Sequence, residues 1–317
     1  MKKLWAFLFL SIFTGSVAGQ TYPGKPIRLI VPFPPGGSND IVARMLATQL
    51  GEKLGQQMVI ENKGGAGGVL GTDSAAKAAP DGYTLLLASI AYAFAPALYK
   101  SLPYDPENSF APISMLGRGP SALVVHPSVP VNTVAELIAL AKAKPGTLNY
   151  ASAGVGSFQH LACAMFVLQA GIDAVHIPYK GGGPAMADVM AGQAQFVMPS
   201  LLQVVPHIKS GRLKVLATSG TSRTPVLPGV PTVAETLPGY ESQNWWGLLA
   251  PAGTPKPVID RLYAAVSEVL QSKETSQRME TEGAEAVRMP PAEFKRFISS
   301  ELAKWVKVAR EAGIKAE

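Results

Sequence analysis

The chain has one cysteine in 317 residues, Cys163, which excludes an intramolecular disulfide and any cysteine-based metal cluster. Its neighbours Leu161, Ala162, Ala164 and Met165 make it read as a small buried hydrophobe and not a reactive thiol. It also lies far from the N-terminus, so no lipid anchor on a processed N-terminal cysteine is expected. Histidine is scarce as well. His126, His160, His176 and His207 are dispersed without His-Glu-x-x-His spacing, so neither a metal nor another cofactor is expected. Charged residues make up only 16% of the chain, and the basic ones are scattered instead of forming a run, which speaks against nucleic-acid binding. No stretch of 18 uninterrupted apolar residues is present, so the processed protein is not expected to insert into a membrane. Repeats of fixed period and low-complexity tracts are absent too.

What is present begins with a leader. Lys2 and Lys3 precede an apolar run from Leu4 to Phe13 and the small residues Gly15, Ser16, Ala18 and Gly19, the layout of a secretory signal peptide over residues 1–19. Cleavage is expected just after Ala18 or Gly19, releasing the protein into the periplasm. Loss of the two lysines takes the formal charge from +6 to +4. About 300 remaining residues exceed one ordinary hydrophobic core, and two domains follow.

Strands and helices then alternate. Ile27–Val31 is a β-branched run between Pro26 and Pro32, and Ser38–Leu54 places Ile41, Val42, Met45, Leu46 and Leu50 at helical spacing. Further strands are predicted at 58–60, 83–88, 122–126, 148–151, 176–179, 196–198, 214–218 and 245–250. Helices are predicted at 133–144, 157–170 and 183–191, and long ones start at Pro257 and Pro291. This pattern predicts an α/β protein with largely parallel sheets. Proline and glycine are spread through turns and not gathered in a linker, so the domain boundary must be a strand crossover.

Two glycine turns between a strand and a helix carry the chemistry: Phe33-Pro-Pro-Gly-Gly-Ser-Asn-Asp40 and Ala151-Ser-Ala-Gly-Val-Gly-Ser-Phe-Gln-His160. A turn of this kind aims free backbone N–H groups and the positive end of a helix dipole at one point, which suits an anion. Either turn alone is a weak signal. One on each side of a cleft is a stronger one, because ligands of open α/β sheets sit outside the carboxyl ends of strands. The run Gly65-Ala-Gly-Gly-Val-Leu-Gly71 has some of the look of a dinucleotide fingerprint but lacks a partner acid, and reads as a surface turn.

A series of short segments, in order along nearly the whole processed chain, resembles the periplasmic receptors of tripartite tricarboxylate transporters, the Bug receptors. They are Tyr22-Pro-Gly-Lys-Pro-Ile-Arg28, Val31-Pro-Phe-Pro-Pro-Gly-Gly-Ser-Asn-Asp40, Glu61-Asn-Lys-Gly-Gly-Ala-Gly-Gly68, Pro80-Asp-Gly-Tyr83, Asn149-Tyr-Ala-Ser-Ala-Gly154, Tyr179-Lys-Gly-Gly-Gly-Pro-Ala185, Leu227-Pro-Gly-Val-Pro-Thr-Val-Ala-Glu235 and Gly247-Leu-Leu-Ala-Pro-Ala-Gly-Thr-Pro255. The resemblance implies a two-lobed periplasmic-binding-protein fold (Venus flytrap, type II) with a mainly parallel sheet in each lobe. Lobe 1 would comprise 20–122 with 245–317, and lobe 2 would be 123–244. It also implies a small carboxylate held between the lobes, a membrane transporter as partner, no catalysis, and a monomer.

On the family pattern, Phe33 to Ser38 form the lobe-1 floor, with the N–H groups of Gly36, Gly37 and Ser38 reaching a carboxylate directly or through water. Ser89 and Tyr92 line the cleft from lobe 1; Gly156, Ser157 and His160 form the opposing turn. Tyr179 and Lys180 join them, although Lys180 reads equally as a cleft cation and as a solvated side chain. Asp40 is expected to serve the helix start structurally, since a second negative charge would repel an anionic ligand. The chain departs from the pattern at Ala88-Ser-Ile-Ala-Tyr-Ala-Phe94, which is more apolar, and at Met198-Pro-Ser200, where receptors for amino acids commonly carry an Asp. Its absence argues against an amino-acid ligand. Tyr92, Phe94 and Trp245 or Trp246 read either as an apolar wall for the ligand or as lobe packing. Two other functions compete: a ligand-presenting sensor for a membrane signalling protein, and a two-lobed hydrolase using Ser157 and His160. The hydrolase reading lacks a Gly-x-Ser-x-Gly elbow and an orienting acid.

Overall fold

The computed structural model describes residues 22–311; the expected signal peptide lies outside them. Two sheets organise the chain. The first has the order β11-β4-β10-β3-β1-β2, built from β1 (Ile27–Val31), β2 (Met58–Asn62), β3 (Thr84–Ser89), β4 (Phe110–Pro120), β10 (Gln243–Pro251) and β11 (Glu285–Met289). The second has the order β7-β6-β8-β5-β9, from β5 (Ala122–Val125), β6 (Leu148–Ser152), β7 (Ala174–Pro178), β8 (Phe196–Val197) and β9 (Lys214–Thr218). Every residue of β3 and β5 is buried, whereas the edge strands β2, β7 and β11 are partly exposed. Continuous apolar runs therefore mark the strands that are covered by helices on both faces.

Helices α1 (Ser38–Leu54), α2 (Val69–Ala76) and α3 (Ile90–Leu98) each follow a strand of the first sheet. In the second lobe lie α4 (Val134–Ala143), α5 (Phe158–Ala170), α6 (Gly182–Met190) and α7 (Leu201–Lys209), and the first lobe is completed by α8 (Lys256–Gln271), α9 (Lys273–Thr281) and α10 (Pro291–Glu311). Local chemistry sets their ends. Thr133 caps α4 by accepting the Glu136 N–H, and α1 stops at Gly55, whose φ of 72° suits glycine. On one face of the first sheet Val42, Leu46 and Leu50 of α1 share a core with Leu262, Val266 and Val269 of α8. On the other, Phe94 of α3 meets Trp305 of α10 edge to face at 5.8 Å. Burying each such side chain contributes about 1.5–3 kcal/mol.

The chain crosses between lobes twice, and the crossings touch. Ser121 follows β4, while Ser219 and Ser242 follow β9 and precede β10. The Ser121 N–H and hydroxyl donate to Ser219 Oγ at 2.7 and 2.8 Å, and Ser219 Oγ in turn donates to the Ser242 carbonyl. All three serines are buried. This small hydroxyl cluster joins the two segments that connect the lobes.

The two-lobed α/β architecture is as expected, but the sheets expected to be mainly parallel are mixed. β1 pairs in parallel with β2 and β3, and β6 with β7 and β8, while β4, β5 and β10 run antiparallel to their neighbours. The antiparallel strands are those flanking the crossovers, because a chain leaving one lobe for the other ends its strand at the opposite end of the sheet. Strands β4 and β11 and helices α3, α7 and α9 were not anticipated. α3 is apolar on every side and is broken in pattern by Pro96, so it shows no amphipathic period.

Candidate ligand-binding cleft

Five helices begin at one place. α1, α3, α5, α6 and α7 start after Gly37, Ser89, Ser157, Gly181 and Ser200, and these residues or their immediate successors line a narrow cleft of about 30 Å³ between the lobes. All five follow a strand of the parallel sets β1, β2, β3 or β6, β7, β8, which brings their N-terminal ends to the carboxyl edges of those strands. Only Ser157 caps its helix with its side chain, accepting the His160 N–H at 3.3 Å; α1, α3, α6 and α7 have no side-chain cap bond. The free N–H groups and helix dipoles therefore face the cleft.

Lobe 1 contributes Phe33, Gly37, Ser38, Asn39, Ser89 and Asn244. Lobe 2 contributes Ala153 beside Ser157, Phe158 and Gln159 at the start of α5, Gly182 of α6, and Ser200 and Gln203 of α7. None of these side chains is charged. The lobe-1 wall is fully cross-linked: Asn39 donates to Ser89 Oγ at 3.2 Å and accepts the Trp246 indole N–H at 3.0 Å, and Asn244 reaches Ser38 Oγ at 3.4 Å. The lobe-2 wall is not. Gln159 Nε2 donates to Gln203 Oε1 at 3.0 Å, but Gln159 Oε1 and Ser200 Oγ are buried without any partner.

A second, larger compartment of about 710 Å³ shares Phe33 and Ala153 with the first and is bordered by Pro34, Gly64–Gly68, Tyr99, Tyr179 and Lys180. Here the lobes meet through glycines. A Cβ on Gly67, whose φ is 60°, would stand 2.6 Å from the Val155 carbonyl, and one on Gly156 would stand 2.9 Å from Leu98. Side chains at these positions would prop the lobes apart.

The expected site residues divide. Phe33, Gly37, Ser38, Ser89 and Ser157 line the inner cleft; Tyr179 and Lys180 line only the outer compartment. The N–H of Gly36, expected to face a ligand, donates instead to Asp40 Oδ2 at 3.1 Å. Asp40 is buried and also accepts from Arg44 Nε at 3.0 Å and Asn62 Nδ2 at 2.9 Å. Burial alone would raise its pKa, but these hydrogen bonds and the guanidinium outweigh it and hold the carboxyl below its ordinary value. Asp40, in the first turn of α1, thus ties the Phe33–Ser38 turn to β2 and α1 through Gly36, one residue before the N-cap. Gly156 likewise gives its N–H to His160 Nδ1 at 3.3 Å, and the His160 ring stacks on His176 at 4.3 Å away from the inner cleft. Burial lowers both imidazole pKa values to about 4, so both rings are neutral near pH 7. The Ser157–His160 hydrogen bond comes from the backbone, so the pair is not set as nucleophile and base.

Tyr92 does not border the inner cleft: it is buried in α3, stacks on Tyr104 at 6.0 Å and donates its hydroxyl proton to the Pro106 carbonyl at 2.5 Å. Phe94, Trp245 and Trp246 are lobe packing too. The reason is the helix: once residues 90–98 coil, Tyr92 turns into the core against Tyr104 and Phe110. Asn39, Ala153, Phe158, Gln159, Gly182, Ser200, Gln203 and Asn244 were missed. Asn39 and Gln159 stand within the two glycine segments, one residue after Ser38 and two after Ser157, and were within reach of the same argument; Ser200 and Gln203 start a helix that carried no readable signal. Among the described residues, no group of three or more His, Cys, Asp or Glu side chains is placed to hold a metal, and no helix is long and apolar enough to cross a membrane.

Two lobes joined by paired strands around a cleft of helix N-termini define a solute-binding receptor of the periplasmic-binding-protein class. Residues 42–314 match the family described as tripartite tricarboxylate transporter family receptor (TctC), and the chain belongs to that family. Protein BugT of Bordetella pertussis is 40% identical over 322 aligned positions, covering 99% of each chain. The solved periplasmic binding protein BugD superposes with a TM-score of 0.90 at 36% identity, over 93% of this chain and all of that one. The Rhodopseudomonas palustris protein Rpa4515, solved with adipate, gives a TM-score of 0.91 at 34% identity over the same shares.

Proposed function

We propose that this receptor captures a small carboxylate in the inner cleft, in the periplasm, and presents it to the membrane subunits of a tripartite tricarboxylate transporter. The convergence of five helix N-termini on an uncharged cleft carries the reading. Each N-terminus favours a nearby anion by about 0.3–1 kcal/mol, and up to about 2 in partly buried geometry. Four hydrogen bonds to a carboxylate, at about 1.5–3 kcal/mol each, give a gross gain comparable to the roughly 8 kcal/mol of micromolar affinity. Immobilisation and desolvation subtract several kcal/mol, so closure of the lobes over the ligand must add buried area. Phe33 and Phe158 offer apolar walls to the ligand body, and a relative of the same fold was solved with adipate, a dicarboxylate. Export is supported by the signal-peptide layout of residues 1–19 and by the periplasmic description of BugD. Lobe 1 as 20–122 with 245–317 and lobe 2 as 123–244 remain the proposed division, with the pivots at Ser121 and Ser242, and the receptor acts as a monomer whose closed form the transporter reads.

Calorimetric and thermal-shift titration with a panel of mono- and dicarboxylates tests this. At a ligand concentration one hundred times Kd, the protein is expected to gain about 2.7 kcal/mol of stability. A melting temperature unmoved by every carboxylate would contradict the proposal.

A further inference from the structure

The inner cleft accounts for a seated carboxylate but not for the one charged side chain of the outer compartment. Lys180 borders that compartment, is exposed, and has no ion-pair partner among the described residues. Its place in the chain is unfavourable for the fold. It immediately precedes Gly181, the N-cap of α6, where the positive end of the helix dipole opposes a cation. A lysine that works against a dipole and pairs with nothing is not explained by stability.

The surroundings leave its charge uncompensated. No Asp or Glu lines either compartment. Acids of the flanking elements are engaged elsewhere: Glu61 of β2 with Arg28 at 3.2 Å, Asp40 of α1 with Arg44 at 3.0 Å, Asp73 of α2 with Lys77 at 2.8 Å, and Asp188 of α6 with the Tyr179 hydroxyl. On the opposite lobe Lys63, next to the bordering Gly64, meets only the neutral Ser74 hydroxyl, at 2.7 Å. The outer compartment is also the way in. It is bordered by residues that follow β2 and β7, the edge strands farthest from the crossovers in their sheets, and it shares Phe33 and Ala153 with the inner cleft.

We infer that Lys180 is an entry residue: it draws an anionic ligand into the outer compartment, from which the ligand passes to the uncharged inner cleft and leaves the lysine behind. This rests on the carboxylate reading and adds a kinetic step to it. A fixed charge at the mouth of a low-dielectric cleft raises the local concentration of counter-ions and hence the association rate. In water, at a separation of about 7 Å, one unit charge enriches a monoanion about 3-fold and a dianion about 7-fold. Because the seated ligand is held by backbone N–H groups of the inner cleft, the lysine acts on the rate of arrival and not on the rate of departure.

Stopped-flow binding to the processed protein tests this, with succinate, glutarate and adipate as dianions and their monomethyl esters as monoanions of the same skeleton. In Lys180→Gln at about 10 mM ionic strength, the association rate is expected to fall about 7-fold for a dianion and about 3-fold for its monoester, with the dissociation rate unchanged within about 2-fold. Lys180→Arg, which keeps the charge, is expected to retain the wild-type rate. At about 1 M ionic strength, where the screening length shrinks from about 30 Å to about 3 Å, the rates of wild type and Lys180→Gln are expected to converge. An unchanged association rate in Lys180→Gln, a loss that persists at high salt, or an effect that appears mainly in dissociation overturns the entry role while leaving the carboxylate receptor standing. If wild type binds none of these ligands, the carboxylate reading itself fails, and the entry role with it.

Discussion

The two walls of the cleft are built on opposite principles. In lobe 1, each polar side chain of the wall is bonded to a neighbour of the same lobe: Asn39 to Ser89 and Trp246, Asn244 to Ser38, and Asp40 behind them to Gly36, Arg44 and Asn62. In lobe 2, the Gln159–Gln203 pair and Ser200 leave polar atoms without partners. A cross-linked wall keeps its shape whether or not a ligand is present and supplies a fixed floor of backbone N–H groups. A wall with orphaned atoms is complete only when something binds. Lobe 1 therefore presents a preformed wall, and lobe 2 one whose polar atoms are not all paired.

Substitutions should expose that asymmetry. Asn39→Leu removes the acceptor of the buried Trp246 N–H and the donor to Ser89, and is expected to cost about 2–4 kcal/mol in denaturant unfolding of the unliganded protein. Asp40→Asn is expected to cost about 1–3 kcal/mol at neutral pH, since it weakens the charge-assisted bond to Arg44 and the anchoring of the Phe33–Ser38 turn. Its pH dependence has a definite sign. The Asp40 carboxyl titrates below its unfolded value, so its contribution is fully present above about pH 4 and is lost as pH falls through the folded pKa. Wild type and Asp40→Asn should accordingly converge in acid, and a gap that widened there would count against this role. The smallest effect belongs to lobe 2. Ser200→Ala deletes an unpaired buried hydroxyl and should leave the unliganded protein as stable as wild type or slightly more so. A loss above about 1 kcal/mol would mean that Ser200 is structural after all and that the two walls are alike.

Much of the lobe-1 floor was readable in the amino-acid string, because Pro34-Pro-Gly-Gly37 between an apolar strand and an amphipathic helix announces both the turn and the N–H groups it frees. Local pattern did not reveal which N–H groups stay free. Gly36 and Gly156 are diverted to Asp40 and His160, side chains four positions ahead whose orientation depends on tertiary packing. The same limit applies to Tyr92: a segment apolar on all faces has no period to separate a buried helix from a cleft loop, so its ring was misplaced. Ser200 and Gln203 were invisible for another reason. Strand β8 was expected at 196–198, but the nine-residue helix after it, interrupted by Pro206, carried no readable pattern, and its position in the cleft depends on pairing β8 with β5 and β6, far away in sequence.

A crystal structure of the protein with the tightest-binding carboxylate of the titration series tests the account most directly. Carboxylate oxygens are expected within hydrogen-bond distance of backbone N–H groups at the starts of α1 or α3 in lobe 1 and of α5, α6 or α7 in lobe 2, with no charged side chain in contact. A ligand seated instead in the outer compartment with its carboxylate on Lys180, leaving the five helix starts untouched, would contradict it.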